Sequence, residues 1–191
     1  KILRKKIIFD FDDAIWKLDT SNENKSFEWL KKPEKTKRII QLSSLIIAGN
    51  KYLKIFAKAF NNNIEIIPTT IDTAYHVPNP NANKKICIGW TGSKTTVKHF
   101  ETIIPELFKI KEKHPNSYFK LIGDETYENR CLDLKGTKWE QQSEINDLQE
   151  LDIGIMPLPN DEWSKGKCGF KGLQYMALDR KSTRLNSSHL V

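Results

Sequence analysis

The chain has 191 residues, of which 31 are Lys or Arg, 24 are Asp or Glu and 38% are hydrophobic, and its formal net charge is +7. These values are typical of a globular protein with one domain or parts of two. No apolar run approaches the roughly 20 residues of a membrane-spanning helix, and the first residues lack the apolar stretch of a signal peptide. We therefore expect a cytoplasmic protein.

The first part of the chain is predicted to alternate between strands and helices. The predicted strands cover residues 7–9, 45–47 and 64–67, and the predicted helices cover residues 33–43 and 51–60. Pro33 suits the first turn of a helix, and Asn50 is a good N-cap. Such alternation over short connections indicates parallel βαβ units.

A proline-rich stretch separates this series from a second one. We predict that residues 1–72 form one domain, 73–84 a linker and 85–178 another domain with its own sheet. The second series consists of strands at 86–88, 118–122 and 152–156, a weaker strand ending at Trp139, a helix from Val97 to Phe108 kinked at Pro105, a short helix capped by Ser143, and a last helix over 168–178.

Residues 179–191 differ sharply from what precedes them, because they show no apolar periodicity. They resemble the translation of a sequencing adapter, so we expect a non-native tail that contributes nothing to a core.

The chain does not begin with Met and enters a predicted strand almost at once. We therefore expect that this chain is a fragment and has no catalytic activity of its own.

Two acids, Asp10 and Asp12, follow the first predicted strand. They resemble the motif of haloacid-dehalogenase-type phosphatases, in which the first Asp is a nucleophile and the second a general acid beside a magnesium ion. That family usually has Thr or Val where Ala14 stands. A purely structural role for the acids is the other interpretation.

Two glycine-containing segments suggest an anion site. Residues 89–96 form a turn between a strand and a helix, where backbone N–H groups can approach a phosphate. Residues 152–177 comprise a strand, a loop stiffened by prolines, a glycine turn, and a helix with Lys167 and Lys171 at its start. This order places cations at the carboxyl edge of the sheet, where open α/β sheets bind ligands.

With residues 48–53 and 67–72, these segments resemble a GT-B glycosyltransferase of family 4. The resemblance covers most of residues 7–177. It implies an α/β fold with two Rossmann-like domains, both incomplete here. It also implies that a sugar is transferred from a nucleotide-diphosphate donor to a glycan or lipid-linked acceptor, as in polysaccharide biosynthesis. The transfer would retain the configuration at the anomeric carbon. The resemblance also implies that no metal or other cofactor is needed. Lys167 and Lys171 would be catalytic by stabilising the departing diphosphate; the donor-binding residues would be Gly92, Ser93, Lys94, Gly169, Phe170 and Gln174.

The sequence departs from the family at two positions. Many relatives carry two glutamates eight positions apart, where this chain has Gly166 and Gln174. Gln174 can still hydrogen-bond a ribose hydroxyl. The candidates for the contact with the sugar are Asp161 and Glu162. A non-catalytic sugar-binding module of the same fold is therefore a further alternative.

The basic stretch over residues 31–38 is either a solvated helix face or a contact with anionic lipid head groups at the inner face of the cell membrane. Nucleic-acid binding is not expected, because basic and aromatic residues are not interleaved.

Overall fold

The computed structural model describes residues 5–17, 32, 34–79 and 85–183. The chain divides into two units, the first comprising Lys1–Thr70 and Asn160–Gly169, the second Ile71–Pro159 and Phe170–Val191. The predictions on Pro33, on residue 31, on the end of the linker and on residues 184–191 lie outside the described ranges. Within those ranges, no helix is long and apolar enough to cross a membrane.

The first unit contains a parallel sheet of three strands in the order β1, β2, β3. Its elements are β1 (Ile8–Phe11), α1 (Glu34–Leu42), β2 (Leu45–Ala48), α2 (Lys51–Lys58) and β3 (Ile64–Ile66). The Asn50 side chain accepts a hydrogen bond from the N–H of Leu53 at 2.9 Å, which confirms the predicted cap of α2. Ile40 of α1 and Leu53 of α2 are fully buried in one cluster with Ile46 of β2. Both helices therefore bury their apolar faces in one core.

The second unit contains a separate sheet, as the two predicted series require. Its elements, up to the eighth strand of the chain, are β4 (Ile86–Thr91), a 3₁₀ turn (Lys94–Thr96), α3 (Val97–Glu101), α4 (Ile104–Lys113), β5 (Ser117–Ile122), β6 (Glu128–Asn129), β7 (Leu134–Thr137), α5 (Glu144–Gln149) and β8 (Ile153–Ile155). Strands β7, β5, β4 and β8 are parallel neighbours in that order. Helices α3 and α4 contribute to one core cluster and α5 to another.

Two helix predictions need correction. The helix predicted from Val97 to Phe108 is interrupted at Thr102 and Ile103, and Pro105 lies in the first turn of α4 rather than at a kink. Proline is well accommodated there because the first N–H groups of a helix have no intrahelical acceptor. Ser143 precedes α5 but makes no side-chain cap hydrogen bond.

Residues 160–169 were predicted to belong to the second domain, whereas in the structure they group with the first unit. They include α6 (Glu162–Lys165). A side chain at Gly166 would meet the Ala14 Cβ at 2.7 Å, and the Asn50 side chain donates to the Gly166 carbonyl at 3.1 Å. Tyr52 donates to the Glu162 carboxylate at 2.6 Å. These contacts attach the segment to the first unit.

The last described elements are α7 (Phe170–Ala177) and β9 (Lys181–Thr183). The helix begins at Phe170 rather than at 168. Strand β9 pairs in parallel with β8, with Lys181 opposite Ile153. No residue of β9 joins a core cluster, as predicted for the tail, but these three residues extend the sheet at its edge. Backbone pairing of this kind requires no apolar periodicity.

Candidate functional site

A cavity of about 450 Å³ lies in the second unit, at the carboxyl ends of β4 and β5. We call it the second-unit cavity. Its lining combines three lysines, one carboxylate, small residues and aromatic rings: Thr91, Gly92, Ser93, Lys94, Gly123, Lys138, Trp139, Glu144, Phe170, Lys171 and Gln174. Five of the predicted donor residues (Gly92, Ser93, Lys94, Phe170 and Gln174) and Lys171 are thus brought together.

Lys171 lies in the first turn of α7. Its ammonium nitrogen is 4.7 Å from the centre of the Trp90 ring, and Trp90 is only 2% exposed. A cation–π contact of this kind holds the charge at the cavity wall. Cations are unfavourable at a helix N-terminus, whereas anions are favourable there, so an anion in the cavity would be attracted by both the lysine and the helix.

Glycine is required at position 92 because the Trp90 ring and the Lys171 ammonium group lie close to its Cα. A Cβ there would lie 2.2 Å from two atoms of the Trp90 ring and 2.9 Å from the Lys171 ammonium nitrogen. Any side chain would displace the ring, the lysine or both.

The backbone of the Gly92–Ser93 turn does not present its N–H groups as predicted. The Gly92 N–H donates to the Ile122 carbonyl at 2.9 Å, and the Ser93 N–H donates to the Thr96 hydroxyl at 3.1 Å. Both backbone donors are therefore already used, the first by a carbonyl of β5 and the second by a side chain within the turn. The donors this turn offers to a ligand are therefore side chains, such as the Ser93 hydroxyl.

The other two lysines of the cavity have acidic neighbours. Lys138 pairs with Glu140 at 3.1 Å. The hydrogen bond from the Thr126 hydroxyl lowers the pKa of Asp124, and the positive charge of Lys94 contributes to the same shift. Lys94 and Lys138 are both exposed, whereas Lys171 packs against the buried Trp90 ring.

Gln174 is 3% exposed and is held in a chain of hydrogen bonds. Its amide nitrogen lies 3.2 Å from the Glu144 carboxylate and 3.3 Å from Nε2 of His76. His76 Nδ1 lies 2.9 Å from the Asp72 carbonyl, which can only accept, so this nitrogen carries the proton and Nε2 accepts from Gln174. The amide nitrogen of Gln174 thus already has partners, and only its oxygen could meet a ligand.

Trp139 and Glu144 are site residues that the sequence did not reveal as such. The Trp139 indole N–H donates to the Glu144 carboxylate at 3.1 Å, and Trp139 is 45% exposed. A half-exposed ring beside a carboxylate offers a stacking surface and a hydroxyl acceptor in one place.

Lys167 and Gly169 belong to the first unit. Lys167 pairs with Asp13 at 2.8 Å, and its ammonium nitrogen is 3.9 Å from the centre of the Trp163 ring. Gly169 has a φ of 76°, a left-handed conformation that favours glycine. Neither residue lines the second-unit cavity.

Asp161 and Glu162, the two candidates for the sugar contact, also lie in the first unit and have partners. Asp161 accepts from the Ser164 N–H at 2.7 Å and caps α6. Hydrogen bonds from Lys165 and Tyr52 lower the pKa of Glu162. Burial of the phenol and its hydrogen bond with Glu162 raise the pKa of Tyr52 to about 12.

A different cavity, of about 470 Å³, lies in the first unit and is lined in part by Asp10 and Asp12. We call it the first-unit cavity. In the part of the chain that the structure describes, no group of three or more His, Cys, Asp or Glu side chains is placed to hold a metal ion.

The fold is similar to that of two solved structures of TarM. One is a mutant of the Staphylococcus aureus protein in complex with fondaparinux, α-GlcNAc-glycerol and UDP; it matches with a TM-score of 0.66 and 11% identity over 96% of this chain. The other matches with a TM-score of 0.63 and 10% identity over 94% of this chain. TarM is a glycosyltransferase of the GT-B type.

The fold is of the GT-B type. This chain spans 37% and 36% of the length of the two TarM chains. Neither a scan against protein-family models nor a search of curated proteins finds a match. At these identities the GT-B likeness shows the fold alone.

Proposed function

We propose that this chain takes part in transfer of a sugar from a nucleotide-diphosphate donor to a glycan or lipid-linked acceptor, and that the second-unit cavity binds the donor. The observation that carries the proposal is the position of Lys171. It meets Trp90 and the Gly92 turn in a cavity at the carboxyl edge of a parallel sheet, which is where open α/β sheets bind their ligands.

The groups around the cavity fit the parts of such a donor. Lys171, Ser93 and the N-terminus of α7 suit the diphosphate, Glu144 suits ribose hydroxyls, and Trp139 suits a base or sugar ring. The TarM structure with UDP has the same fold, which supports the assignment.

The chemistry that we propose consists of positioning and charge stabilisation. As the bond between the anomeric carbon and the diphosphate breaks, negative charge grows on the departing oxygens, and a fixed ammonium group lowers the energy of that state. Retention at the anomeric carbon and independence of metal ions belong to this proposal. Lys167 is proposed as a second cation with the same role, and Asp13 holds its ammonium group in the first unit.

Calorimetric titration of the 191-residue chain with UDP, GDP, ADP and TDP tests the donor site. At least one nucleotide should bind, and Lys171→Ala should weaken its binding about tenfold or more, because a charge-assisted contact to phosphate contributes about 1.5–3 kcal/mol. Lys109→Ala is the matched control, since Lys109 is an exposed lysine of the same unit that pairs with Glu106. Equal binding by the two variants would refute the proposal.

Two further assays address the alternatives. Magnesium-dependent phosphate release from an aryl phosphate, lost in Asp10→Asn, would favour the phosphatase. Hydrolysis of a nucleotide sugar would exclude the non-catalytic module, which should bind nucleotides without turning any nucleotide sugar over.

A further inference from the structure

A chain of hydrogen bonds runs from the segment after β3 to the wall of the second-unit cavity. It begins at His76, passes through Gln174 in α7 and ends at Glu144 in α5, and all three residues belong to the second unit. His76 is 5% exposed and Gln174 is 3% exposed, whereas Glu144 is half-buried and lines the cavity. Glu144 is therefore the member of the chain that a ligand can reach most easily.

The direction of these hydrogen bonds is fixed at the His76 end. The Asp72 carbonyl oxygen accepts from the His76 backbone N–H at 2.9 Å and lies 2.9 Å from its Nδ1. Because a carbonyl can only accept, Nδ1 carries the proton and Nε2 presents a lone pair to the Gln174 amide. The opposite orientation of this amide would bring its oxygen against that lone pair and against the Glu144 carboxylate. Gln174 therefore donates in both directions.

The two hydrogen bonds that Glu144 accepts reach the same carboxylate oxygen. The Gln174 amide donates to Oε1 at 3.2 Å, and the Trp139 indole N–H donates to Oε1 at 3.1 Å. The second oxygen, Oε2, has no hydrogen-bond partner among the residues that the structure describes. The carboxylate is thus held in place through one oxygen and keeps the lone pairs of the other for a ligand in the cavity.

A carboxylate oxygen held in this way selects for hydroxyl groups of a ligand. It accepts strongly from hydroxyl donors and repels phosphates, so the part of a nucleotide that fits beside Glu144 is the ribose and not the diphosphate. Lys171, which suits the diphosphate, lines the same cavity. The donors of the ribose are its 2′- and 3′-hydroxyls. A site that accepts from such a hydroxyl discriminates against the analogue that lacks it, because its buried acceptor is then left without a partner.

We propose that His76 and Gln174 are positioning residues, which orient the free oxygen of Glu144 toward a ribose hydroxyl. The second-unit cavity thereby selects ribonucleotides over their deoxy forms. This assignment rests on the proposed function, because that function places a nucleotide in the cavity. It differs from the expectation drawn from the sequence, in which Gln174 itself hydrogen-bonds the ribose. Gln174 instead holds Glu144, and His76 keeps the Gln174 amide in its donating orientation.

Calorimetric titrations of the 191-residue chain compare UDP, GDP and ADP with their 2′-deoxy and 3′-deoxy forms. For each ribonucleotide that binds, at least one deoxy form should bind about tenfold or more weakly, because a hydrogen bond to a charged group is lost. Equal affinities of the ribonucleotide and both deoxy forms would overturn this inference and leave the donor proposal standing. Absence of binding by all three ribonucleotides would overturn both.

Two variants of His76 separate positioning from packing. His76→Leu keeps an apolar side chain but removes the acceptor, so the preference for the ribonucleotide should narrow at least about threefold. His76→Gln places an acceptor oxygen near the position of Nε2 and should retain the preference. His114→Leu is the matched control, since His114 is an exposed histidine at the end of α4. Equal preferences in the Leu and Gln variants of His76 would show that this histidine serves packing alone and would overturn its positioning role.

Gln174→Glu tests which residue contacts the ribose. The new carboxylate would stand where the amide nitrogen now lies, 3.2 Å from the Glu144 carboxylate. Repulsion would displace Glu144, or a shared proton would neutralise it, so ribonucleotide binding should weaken at least about fivefold. Gln142→Glu is the matched control, because Gln142 is an exposed glutamine of the same unit that does not line the cavity. Unchanged or tighter binding by Gln174→Glu would assign the ribose contact to position 174 and overturn the inference.

The NMR signal of the Trp139 indole N–H reports on the same hydrogen bonds without any nucleotide. Because this group and Gln174 donate to one oxygen of Glu144, the signal should move in His76→Leu and Gln174→Glu but not in the two control variants. An unmoved signal would overturn the inference. If His76→Leu loses its native amide spectrum, Trp139→Phe removes the other hydrogen bond to Oε1 at a position that is 45% exposed. It should narrow the preference for the ribonucleotide in the same way, and an unchanged preference would count against the positioning of Glu144.

Discussion

The two cavities occupy the same kind of position, the carboxyl edge of a parallel sheet, but their charged groups are supported in different ways. In the second unit, Lys171 lies against Trp90, which is 2% exposed and belongs to the core. In the first unit, Asp10 and Asp12 are exposed and do not belong to the core cluster. Ligand binding and folding stability should therefore be coupled in the second unit and separable in the first.

The strongest test of this contrast compares Trp90→Ala with Asp10→Ala. Removal of the buried indole should reduce the free energy of unfolding of the second unit by about 3–5 kcal/mol. The same variant should lose nucleotide binding, since Lys171 loses its support. Asp10→Ala should change stability by less than about 0.5 kcal/mol, as is usual at exposed positions.

Hydrogen exchange of the amides of β4 and β5, with increasing urea, measures the effect on the second unit. Trp139→Ala is the matched control in the same cavity, because Trp139 is 45% exposed and should contribute little to stability. Similar exchange rates in Trp90→Ala and Trp139→Ala would show that the cavity wall is not part of the core.

Two glycines sharpen the comparison, since each lines one cavity. A Cβ at Gly49 would lie 2.4 Å from the Cys168 sulfur, and a Cβ at Gly92 would lie 2.2 Å from the Trp90 ring. Each change to Ala should cost about 1–3 kcal/mol by overpacking. Denaturant unfolding measures both effects.

The two variants, Gly49→Ala and Gly92→Ala, should differ in whether a second substitution restores their stability. Cys168→Ala removes the sulfur that Gly49→Ala would meet, so the double variant should recover most of the lost stability. Lys171→Ala should not rescue Gly92→Ala, because the indole contact remains. Failure of the Cys168 rescue would mean that the Asp12 backbone, whose Cα would lie 3.3 Å from the new methyl group at position 49, limits the site instead.

The parts of the fold that could be predicted from the sequence are those with local signals. The cap at Asn50 and the alternation of strands and helices depend on residues within a few positions of one another, and both appear in the structure. The break between α3 and α4 and the pairing of β9 carry no such signal. Backbone pairing of an edge strand hardly depends on side-chain pattern, so Lys181–Thr183 could not be foreseen.

The site was predictable only in part, for a related reason. The glycine turn and Lys171 are marked by sequence, whereas the Trp139–Glu144 pair depends on how a loop is placed beside α7. Likewise, the attachment of residues 160–169 to the first unit depends on contacts such as that of Asn50 with Gly166, which are 116 positions apart. Contacts over such separations leave no periodic pattern.

The smallest expected effect concerns this attached segment, whose contact between Tyr52 and Glu162 is partly exposed. The pKa of Glu162 is lowered from 4.5, so its contribution to stability is present above that pH and is lost as the pH falls through the lower folded value. The pKa of Tyr52 is raised from 10.0 to about 12, so its contribution is complete below pH 10.0 and is lost as the pH rises through about 12. The contact should therefore be insensitive to pH between these limits.

Tyr52→Phe removes the hydrogen bond and should speed amide exchange at Lys165 and Gly166 severalfold at neutral pH, because α6 loses one of its attachments to α2. Tyr75→Phe is the control, since the Tyr75 hydroxyl donates to the Gln141 carbonyl in the second unit. In an alkaline titration of phenolate absorbance, the native chain should show one tyrosine ionising near pH 12 that Tyr52→Phe lacks. If both variants exchange as the native chain does and this late ionisation persists in Tyr52→Phe, the segment is held by Asn50 and Asp13 without help from the tyrosine.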